Sequence, residues 1–237
     1  MRGKSLPDIE WQRLPLERFQ QYADKVGADF IQITEDSIPL LCLPTTLTAY
    51  QKCNMLKFYL LNHFISSDYE RMIYLDLDIL INREARNIFD QVECKGIHMA
   101  VSGDKKQDAS QQYWFKHHFN VDHSTHLYNG GVIYANKKSI KEYYQNVPQL
   151  GEWIDFYKKY NLEQNLTSPG GYRICEQNLL ALFFHEQSTP VHELPQNWNR
   201  PAFDQREGDD FVHYFGVGGK YILDTLYDIK RDMYFNY

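Results

Sequence analysis

The sequence has few cysteines, no long apolar run and no cluster of basic residues, and each absence excludes a class of protein. Its four cysteines lie far apart without a Cys-x-x-Cys pair, which argues against a zinc site and a disulfide scaffold. No segment approaches the roughly 18 continuous apolar residues of a membrane span, and no apolar leader stands at the N-terminus. The net charge of −6, without a lysine- or arginine-rich run, gives no sign of a nucleic-acid or membrane-surface partner. We therefore expect a soluble, cytoplasmic protein.

The composition is otherwise that of an ordinary globular protein, with 43% hydrophobic and 24% charged residues. A chain of 237 residues can bury one good core, so we expect a single domain over residues 1–237. Residues 102–127 are polar and aromatic without strict periodicity, which indicates either a flap over a site or a long loop. The aromatic content of 15% suits binding to sugar faces, although core packing is the better default explanation for any single ring.

The most informative stretch places two carboxylates directly after an apolar run. Residues 72–75 predict a buried strand, and Asp76 and Asp78 follow it. Because strand side chains alternate, these carboxylates should share one side while Leu77 returns to the core. Mg²⁺ or Mn²⁺ would relieve their repulsion, since such cations take carboxylate and phosphate oxygens. A chain of this composition contains about one Asp-x-Asp by chance, so the position after a strand is what favours a metal site.

Apolar spacing indicates how the remaining elements are ordered. It predicts helices over residues 14–26, 48–64, 137–147 and 151–160 and from residue 175 onwards, and strands over residues 29–34, 97–101 and 190–194. Alternation of helices and strands predicts an α/β fold with a single mixed, mostly parallel sheet flanked by helices. Ligands of such sheets bind beyond the carboxyl ends of the strands, where Asp76 and Asp78 lie.

Three later stretches carry further candidates for ligand binding. Asn129, Gly130 and Gly131 run into an apolar strand, where glycines admit a ligand close to the backbone, although a simple Gly-Gly turn that opens a strand is also common. Glu176 and Gln177 open a helix and either cap it or point into a pocket. The last stretch combines a third metal-ligand candidate with an anion-binding loop, in the residues His213, Gly216 and Lys220.

An apolar strand followed by Asp-x-Asp also occurs in haloacid-dehalogenase-like phosphatases, which this chain resembles weakly. Leu80 stands where those enzymes have threonine or valine, and about 70 residues precede the motif instead of a few. Asp209 and Asp210 could imitate the later acidic motif of that family. We regard this as the weaker of two enzymatic interpretations.

The stronger one is that the chain resembles GT-A glycosyltransferases of the family-8 and glycogenin-like group over residues 50–222. Several motifs of that group recur here in the same order: Lys57-Phe58, Tyr74-Leu75-Asp76-Leu77-Asp78-Ile79, Asn87-Ile88-Phe89-Asp90, Tyr128-Asn129-Gly130-Gly131-Val132, Glu176-Gln177-Asn178-Leu179-Leu180, Trp198-Asn199 and His213-Tyr214-Phe215-Gly216 with Lys220. Departures are Glu176 for the usual aspartate, Gly131 for the usual serine, Tyr221-Ile222 for the usual Pro-Trp after the last lysine, and no apolar run in residues 1–13 for the first strand of such folds.

The resemblance implies a metal-dependent transferase that moves a sugar from a nucleotide-diphosphate donor, with UDP favoured, to a carbohydrate or other hydroxyl acceptor. It places Mn²⁺ or Mg²⁺ on Asp76, Asp78 and His213. It assigns a catalytic role near the donor sugar to Glu176 and Gln177, and donor binding to Lys57, Asp76, Leu77, Asp78, Asn129, Gly130, Gly131, Gly216 and Lys220. It also implies retention of configuration, and acceptor binding by residues 102–127 and 196–210. A catalytically silent nucleotide-sugar binding protein remains the alternative, against which stand the intact acidic pair and the histidine.

Overall fold

The structure, a computed structural model, describes residues 10–33, 49–93, 95–102, 105–121, 127–143, 150–163, 168–169, 171, 176–186, 191–204 and 206–214. Two predicted site residues, Gly216 and Lys220, and the cysteines Cys42, Cys94 and Cys175 lie outside these ranges. Among the helices inside them, none combines the length and the apolar character needed to cross a membrane.

The helices include those that the apolar periodicity of the sequence predicts. Within the described ranges they are α1 (Glu10–Val26), α2 (Ala49–Ser66), α3 (Ile88–Gln91), α4 (Lys105–His118), α5 (Lys137–Tyr143), α6 (Leu150–Tyr157) and α7 (Glu176–Glu186), with a π-helix at Lys158–Glu163 and 3₁₀-helices at Gln196–Trp198 and Ala202–Asp204. Gly27 ends α1 with a φ of 69°, a conformation that glycine adopts without strain, and the Ala28 amide donates back to the Ala23 carbonyl at 2.9 Å. The helices predicted from residues 14, 48 and 175 are thus confirmed.

The described strands form two mixed sheets. They are β1 (Arg71–Leu75), β2 (Ile79–Ile81), β3 (Ile97–Val101), β4 (Tyr128–Asn136), β5 (Val191–Glu193), β6 (Arg200–Pro201) and β7 (Phe211–His213). One sheet has the order β1-β4-β3-β5, in which β3 runs antiparallel to β4 and parallel to β5. The other has the order β2-β7-β6, in which β7 runs antiparallel to β2 and parallel to β6.

The α/β fold class is confirmed, but the arrangement of its strands differs in detail from the single, mostly parallel sheet expected. The chain turns after β1, where the Ile79 amide donates to the Asp76 carbonyl at 3.1 Å. After this turn β2 pairs with β7 and joins the second sheet. A pairing between segments about 130 residues apart leaves no trace in the local apolar pattern, which is why the sequence did not reveal it.

The chain divides into two compact units. The first unit comprises Met1–Gln32, Leu75–Glu93 and Pro195–Tyr237, and the second comprises Ile33–Tyr74 and Cys94–Leu194. In the first unit, Tyr22 and Trp198 each form a T-shaped contact with Phe211, with ring centroids 5.4 and 5.1 Å away. In the second, Phe58 of α2 stacks on Trp153 of α6 with centroids 4.2 Å apart. Both units therefore have aromatic packing in their cores.

Two local predictions were wrong. Residues 29–33 form no regular strand, and Ile31 is 49% exposed, so the alternation there does not mark a buried face. Residues 105–118 form the helix α4 instead of a loop, because Trp114 and Phe115 are buried in the core of the second unit. Residues 103–104 and 122–126 lie outside the described ranges, and a flap at 102–127 stays a prediction.

Candidate metal centre and donor-site residues

The two predicted metal-binding carboxylates lie in the turn that follows β1. The side chain of Asp78 is 31% exposed, and Leu77 between the two carboxylates is 37% exposed. The expectation that Leu77 returns to the core was therefore wrong, because the chain has already left the strand at this point. The turn nevertheless keeps Asp76 and Asp78 close together, as the spacing predicted.

His213 is brought to this turn by the register of the second sheet. The last residue of β7, it pairs with Ile79 of β2, and the following Tyr214 amide donates to the Asp78 carbonyl at 2.8 Å. His213 is buried, and its Nε2 lies 3.2 Å from Asp78 Oδ1. Strand pairing thus joins residues that are far apart in the sequence.

The ligand atoms of Asp76, Asp78 and His213 all lie within 4.8 Å of one another. Oxygen and nitrogen ligands about 2.1 Å from one small divalent cation lie roughly 3 to 4.2 Å apart, so a small adjustment would bring all three onto one ion. Two carboxylates and one imidazole are also a donor set that suits Mn²⁺ or Mg²⁺. The residues present therefore fit a divalent cation.

A second group of predicted site residues meets inside the second unit. Lys57 Nζ lies 3.5 Å from Glu176 Oε1, and both side chains are buried. The other carboxylate oxygen, Oε2, is buried without a hydrogen-bond partner among the described residues. Glu176 also begins α7, where the helix dipole favours a negative charge. The pair leaves one carboxylate oxygen able to accept a hydrogen bond from a ligand.

The glycine of β4 next to this pair lies close to it. A Cβ added to Gly130 would lie 3.0 Å from Lys57 Nζ and 3.5 Å from Gln177 Cγ. The neighbouring Asn129 accepts a hydrogen bond from the Gly131 amide through Oδ1 at 2.8 Å. The structure therefore brings Lys57, Glu176, Gln177 and Gly130 together, as the motif order implied.

Asp209 and Asp210, the two residues that could imitate a phosphatase motif, instead form hydrogen bonds that hold the local structure. Asp210 accepts hydrogen bonds from the Arg86 amide at 2.8 Å, Arg86 Nη2 at 2.6 Å and Asn197 Nδ2 at 2.6 Å. The hydrogen bond between the two side chains, together with the negative charge of Asp210, raises the pKa of Arg86. Asp209 accepts from Arg200 Nε at 3.1 Å and from the Arg206 amide at 2.6 Å. Both carboxylates tie loops together, which weakens the phosphatase interpretation.

Comparison with known families decides between the interpretations. The sequence model of glycosyl transferase family 8 matches residues 8–217. The chain belongs to this family. No curated protein sequence matches this glycosyltransferase.

Two solved structures share the fold of this family-8 glycosyltransferase. One is a glycosyltransferase involved in the glycosylation of the major capsid of PBCV-1, with a TM-score of 0.56 and 13% identity over 98% of this chain and 94% of that one. The other is the galactosyltransferase LgtC with donor and acceptor sugar analogs, with a TM-score of 0.52 and 12% identity over 87% of this chain and 83% of that one. The predicted GT-A fold is thereby confirmed.

Sequence reasoning missed one residue beside the candidate metal centre of this glycosyltransferase. Asn199 is buried, and its Oδ1 lies 3.0 Å from Nδ1 of His213. The Trp198-Asn199 pair belongs to the motif series, but nothing in its local pattern links it to a histidine 14 residues later. The parallel pairing of Pro201 with His213 creates that contact.

Proposed function

We propose that this family-8 glycosyltransferase transfers a sugar from a nucleotide-diphosphate donor, most simply a UDP-sugar, to a carbohydrate hydroxyl in a metal-dependent, retaining reaction. The observation that carries the proposal is the convergence of Asp76, Asp78 and His213, whose ligand atoms lie within 4.8 Å of one another. Two carboxylates and an imidazole at such distances can together hold a divalent cation, and a cation held by carboxylates commonly shares its remaining positions with phosphate oxygens.

Asp76, Asp78 and His213 would hold Mn²⁺ or Mg²⁺. When bound, the cation supplies positive charge to the donor diphosphate as the bond between sugar and phosphate breaks. We assign Lys220 and the glycine-rich stretch at Gly216 to the same diphosphate by motif alone, since both lie outside the described residues.

The residues of the second unit are assigned to the donor. Glu176 Oε2 is buried without a hydrogen-bond partner among the described residues, so it can accept a hydrogen bond from a sugar hydroxyl. Lys57 Nζ lies 3.5 Å from the other oxygen of this carboxylate and forms a buried ion pair with it, which leaves Oε2 for the ligand. We assign Gln177 to catalysis near the anomeric carbon, and donor contacts to Asn129, Gly130 and Gly131. Leu77, a residue of the first unit, is also assigned to the donor.

Retention follows if acceptor and leaving group use the same face of the sugar. The anomeric carbon would pass through an oxocarbenium-like state, as in glycoside chemistry. The acceptor oxygen forms a bond to this carbon as the bond to the diphosphate oxygen breaks, and the acceptor proton passes to the departing phosphate. Such a reaction needs no nucleophile from the protein, and we assign none.

Thermal unfolding tests the donor and the metal together. The wild-type protein is heated with UDP or with GDP, each with Mn²⁺ or with EDTA. Binding to the native state raises the midpoint by mass action, so we expect an increase only with UDP and Mn²⁺ together. A higher midpoint with GDP instead of UDP would show that the donor carries GDP. No increase with either nucleotide would remove the support for a donor site.

The variant Asp78→Asn tests the metal site itself. It keeps the shape of the side chain but removes a charge from the triad, so metal-dependent consumption of UDP-sugar should be abolished while the unfolding midpoint changes little. The conservative variant Asp90→Asn, at an exposed carboxylate of α3, serves as a control that should retain turnover. Full metal-dependent activity in Asp78→Asn would refute the assignment.

A further inference from the structure

The imidazole of His213 lies between two hydrogen-bond acceptors. Its Nε2 is 3.2 Å from Asp78 Oδ1, and its Nδ1 is 3.0 Å from Asn199 Oδ1. His213 is 4% exposed and Asn199 is 3% exposed, so water has little access to either side chain. Each acceptor can therefore form a hydrogen bond with the ring with little competition from water.

The two acceptors favour opposite tautomers of the neutral ring. A neutral imidazole carries one proton, on either Nδ1 or Nε2, and the other nitrogen keeps its lone pair. The carboxylate of Asp78 favours a proton on Nε2, which would block the nitrogen that faces the carboxylates. The carboxamide oxygen of Asn199 can only accept, so it favours a proton on Nδ1 and leaves the Nε2 lone pair available to a metal.

Asn199 is itself held in place from both sides. Before it, the Asp210 amide donates to the Asn197 carbonyl at 2.8 Å, and Asn197 Nδ2 donates to Asp210 Oδ2 at 2.6 Å. After it, Arg200 Nε donates to Asp209 Oδ1 at 3.1 Å. Because Asp209 and Asp210 directly precede β7, these bonds tie the segment that carries Asn199 to the strand that carries His213.

We propose that Asn199 is a positioning residue that fixes the Nδ1-protonated tautomer of His213 and so presents its Nε2 to a divalent cation. The inference rests on the proposed function, because it needs Asp76, Asp78 and His213 to be the metal site. Asn199 contacts neither the donor nor the cation in this scheme, and it acts only through the ring of His213.

The test uses the protein labelled with ¹⁵N-histidine, together with Mn²⁺ binding measured by calorimetry. In the wild type we expect the Nδ1-protonated form of His213 to be populated without metal and to be the main form with Mg²⁺ bound, since a cation on Nε2 leaves the ring proton on Nδ1. In Asn199→Ala the neutral ring should carry its proton on Nε2 instead, and the dissociation constant for Mn²⁺ should rise about 10- to 100-fold. Asn199→Asp keeps an acceptor at the same place and should restore both the Nδ1 proton and the affinity.

A matched control separates this role from a loss of packing. Asn136 is also a buried asparagine, and its Oδ1 accepts a hydrogen bond from the Ser139 amide at 3.0 Å in the second unit. Asn136→Ala should lower the unfolding midpoint as Asn199→Ala does, while leaving the His213 spectrum and the affinity for Mn²⁺ unchanged.

Two outcomes would overturn the inference, and they differ from failure of the proposed function. An Asn199→Ala protein that keeps the Nδ1 proton and binds Mn²⁺ within about twofold of the wild type would show that Asn199 does not set the tautomer. Failure of Asn199→Asp to restore either property would show that the acceptor is not what matters. A wild-type protein that binds no Mn²⁺ would overturn the metal site, and this inference with it.

Discussion

Lys57 and Glu176 form an ion pair inside the second unit, with Nζ 3.5 Å from Oε1 across a separation of 119 residues. The two side chains are only 5% and 4% exposed. Nζ of Lys57 also lies 5.7 Å from the centre of the Tyr74 ring, which favours a cation there. The pair thus couples α2 to the first turn of α7 and limits where the carboxylate of Glu176 can point.

Removing one partner of this pair should destabilise the protein strongly. In Lys57→Met the carboxylate of Glu176 stays buried without its cation, and we expect the free energy of unfolding to fall by about 3–5 kcal/mol in urea titrations. The double variant Lys57→Met/Glu176→Leu removes both charges and should recover most of that loss. A single variant as stable as the wild type would show that the pair adds nothing to the fold.

Filling the space beside Gly130 should change donor binding more than stability. The new Cβ in Gly130→Ala would lie 3.0 Å from Lys57 Nζ, at the end of a flexible side chain that can move away. We expect less than about 1 kcal/mol of lost stability but clearly weaker UDP-sugar binding in calorimetry. Gly151→Ala is the control, because nothing lies within 4 Å of its Cβ and alanine favours the α6 helix, so that variant should be slightly more stable.

Two acidic positions should respond in opposite ways to the same substitution. Asp210 is buried and bonded to Arg86 and Asn197, so Asp210→Asn should lower the free energy of unfolding by about 3 kcal/mol and leave Mn²⁺ affinity unchanged. Asp76→Asn should leave stability within about 0.5 kcal/mol and weaken Mn²⁺ binding. Loss of Mn²⁺ binding in Asp210→Asn, with its stability retained, would reverse these assignments.

The hydroxyl of Tyr22 should contribute to the stability of the first unit. It donates to the Arg86 carbonyl at 2.7 Å and accepts from the Ile88 amide at 2.9 Å, where α3 begins. Tyr22→Phe leaves that amide buried without its acceptor and should cost about 1–3 kcal/mol in chemical denaturation. Tyr69→Phe, at a ring that is 41% exposed, should change stability by less than about 0.5 kcal/mol.

The effect of Tyr22→Phe should also depend on pH. Burial raises the pKa of Tyr22 from 10.0 to about 12 in the folded protein. Between these values the unfolded chain loses the proton while the folded chain keeps it, so the stabilisation by Tyr22 is complete below pH 10 and declines as the pH rises towards 12. Denaturation curves of both proteins at pH 8 and at about pH 11 should therefore lie closer together at the higher pH. An equal separation at both would contradict a raised pKa.

Local patterns predicted the elements whose burial is periodic. The apolar spacing of residues 14–26 gave α1 because Phe19, Tyr22 and Ala23 are buried on one face. The alternation of apolar and polar residues over 29–33 is as clear as the spacing that predicted α1, but these residues form no strand. Alternation shows only that a segment can pair with a strand and not that a partner exists. The helix α4 was missed for the converse reason, because its buried face consists mainly of aromatic and polar side chains.

The candidate site was predictable only as far as ordered motifs reach. Asp76 and Asp78 could be paired from their spacing, and His213 joined them through the resemblance to a known family. The register that pairs Ile79 with His213 is what brings His213 close to Asp76 and Asp78, and this register is a property of the folded sheet. Asn199 could not be assigned from its neighbours, because its role depends on a contact created by the pairing of β6 with β7.

The helix α4 separates two kinds of selective pressure along one segment. Trp114 and Phe115 pack in the core of the second unit, so selection at these positions acts first on whether the protein folds. Ala109, Gln112 and Lys116 recur every three or four residues on the exposed side of the same helix. Substitutions can accumulate at those three positions without disturbing the core, so that surface can diversify among descendants of this chain while its scaffold is inherited unchanged.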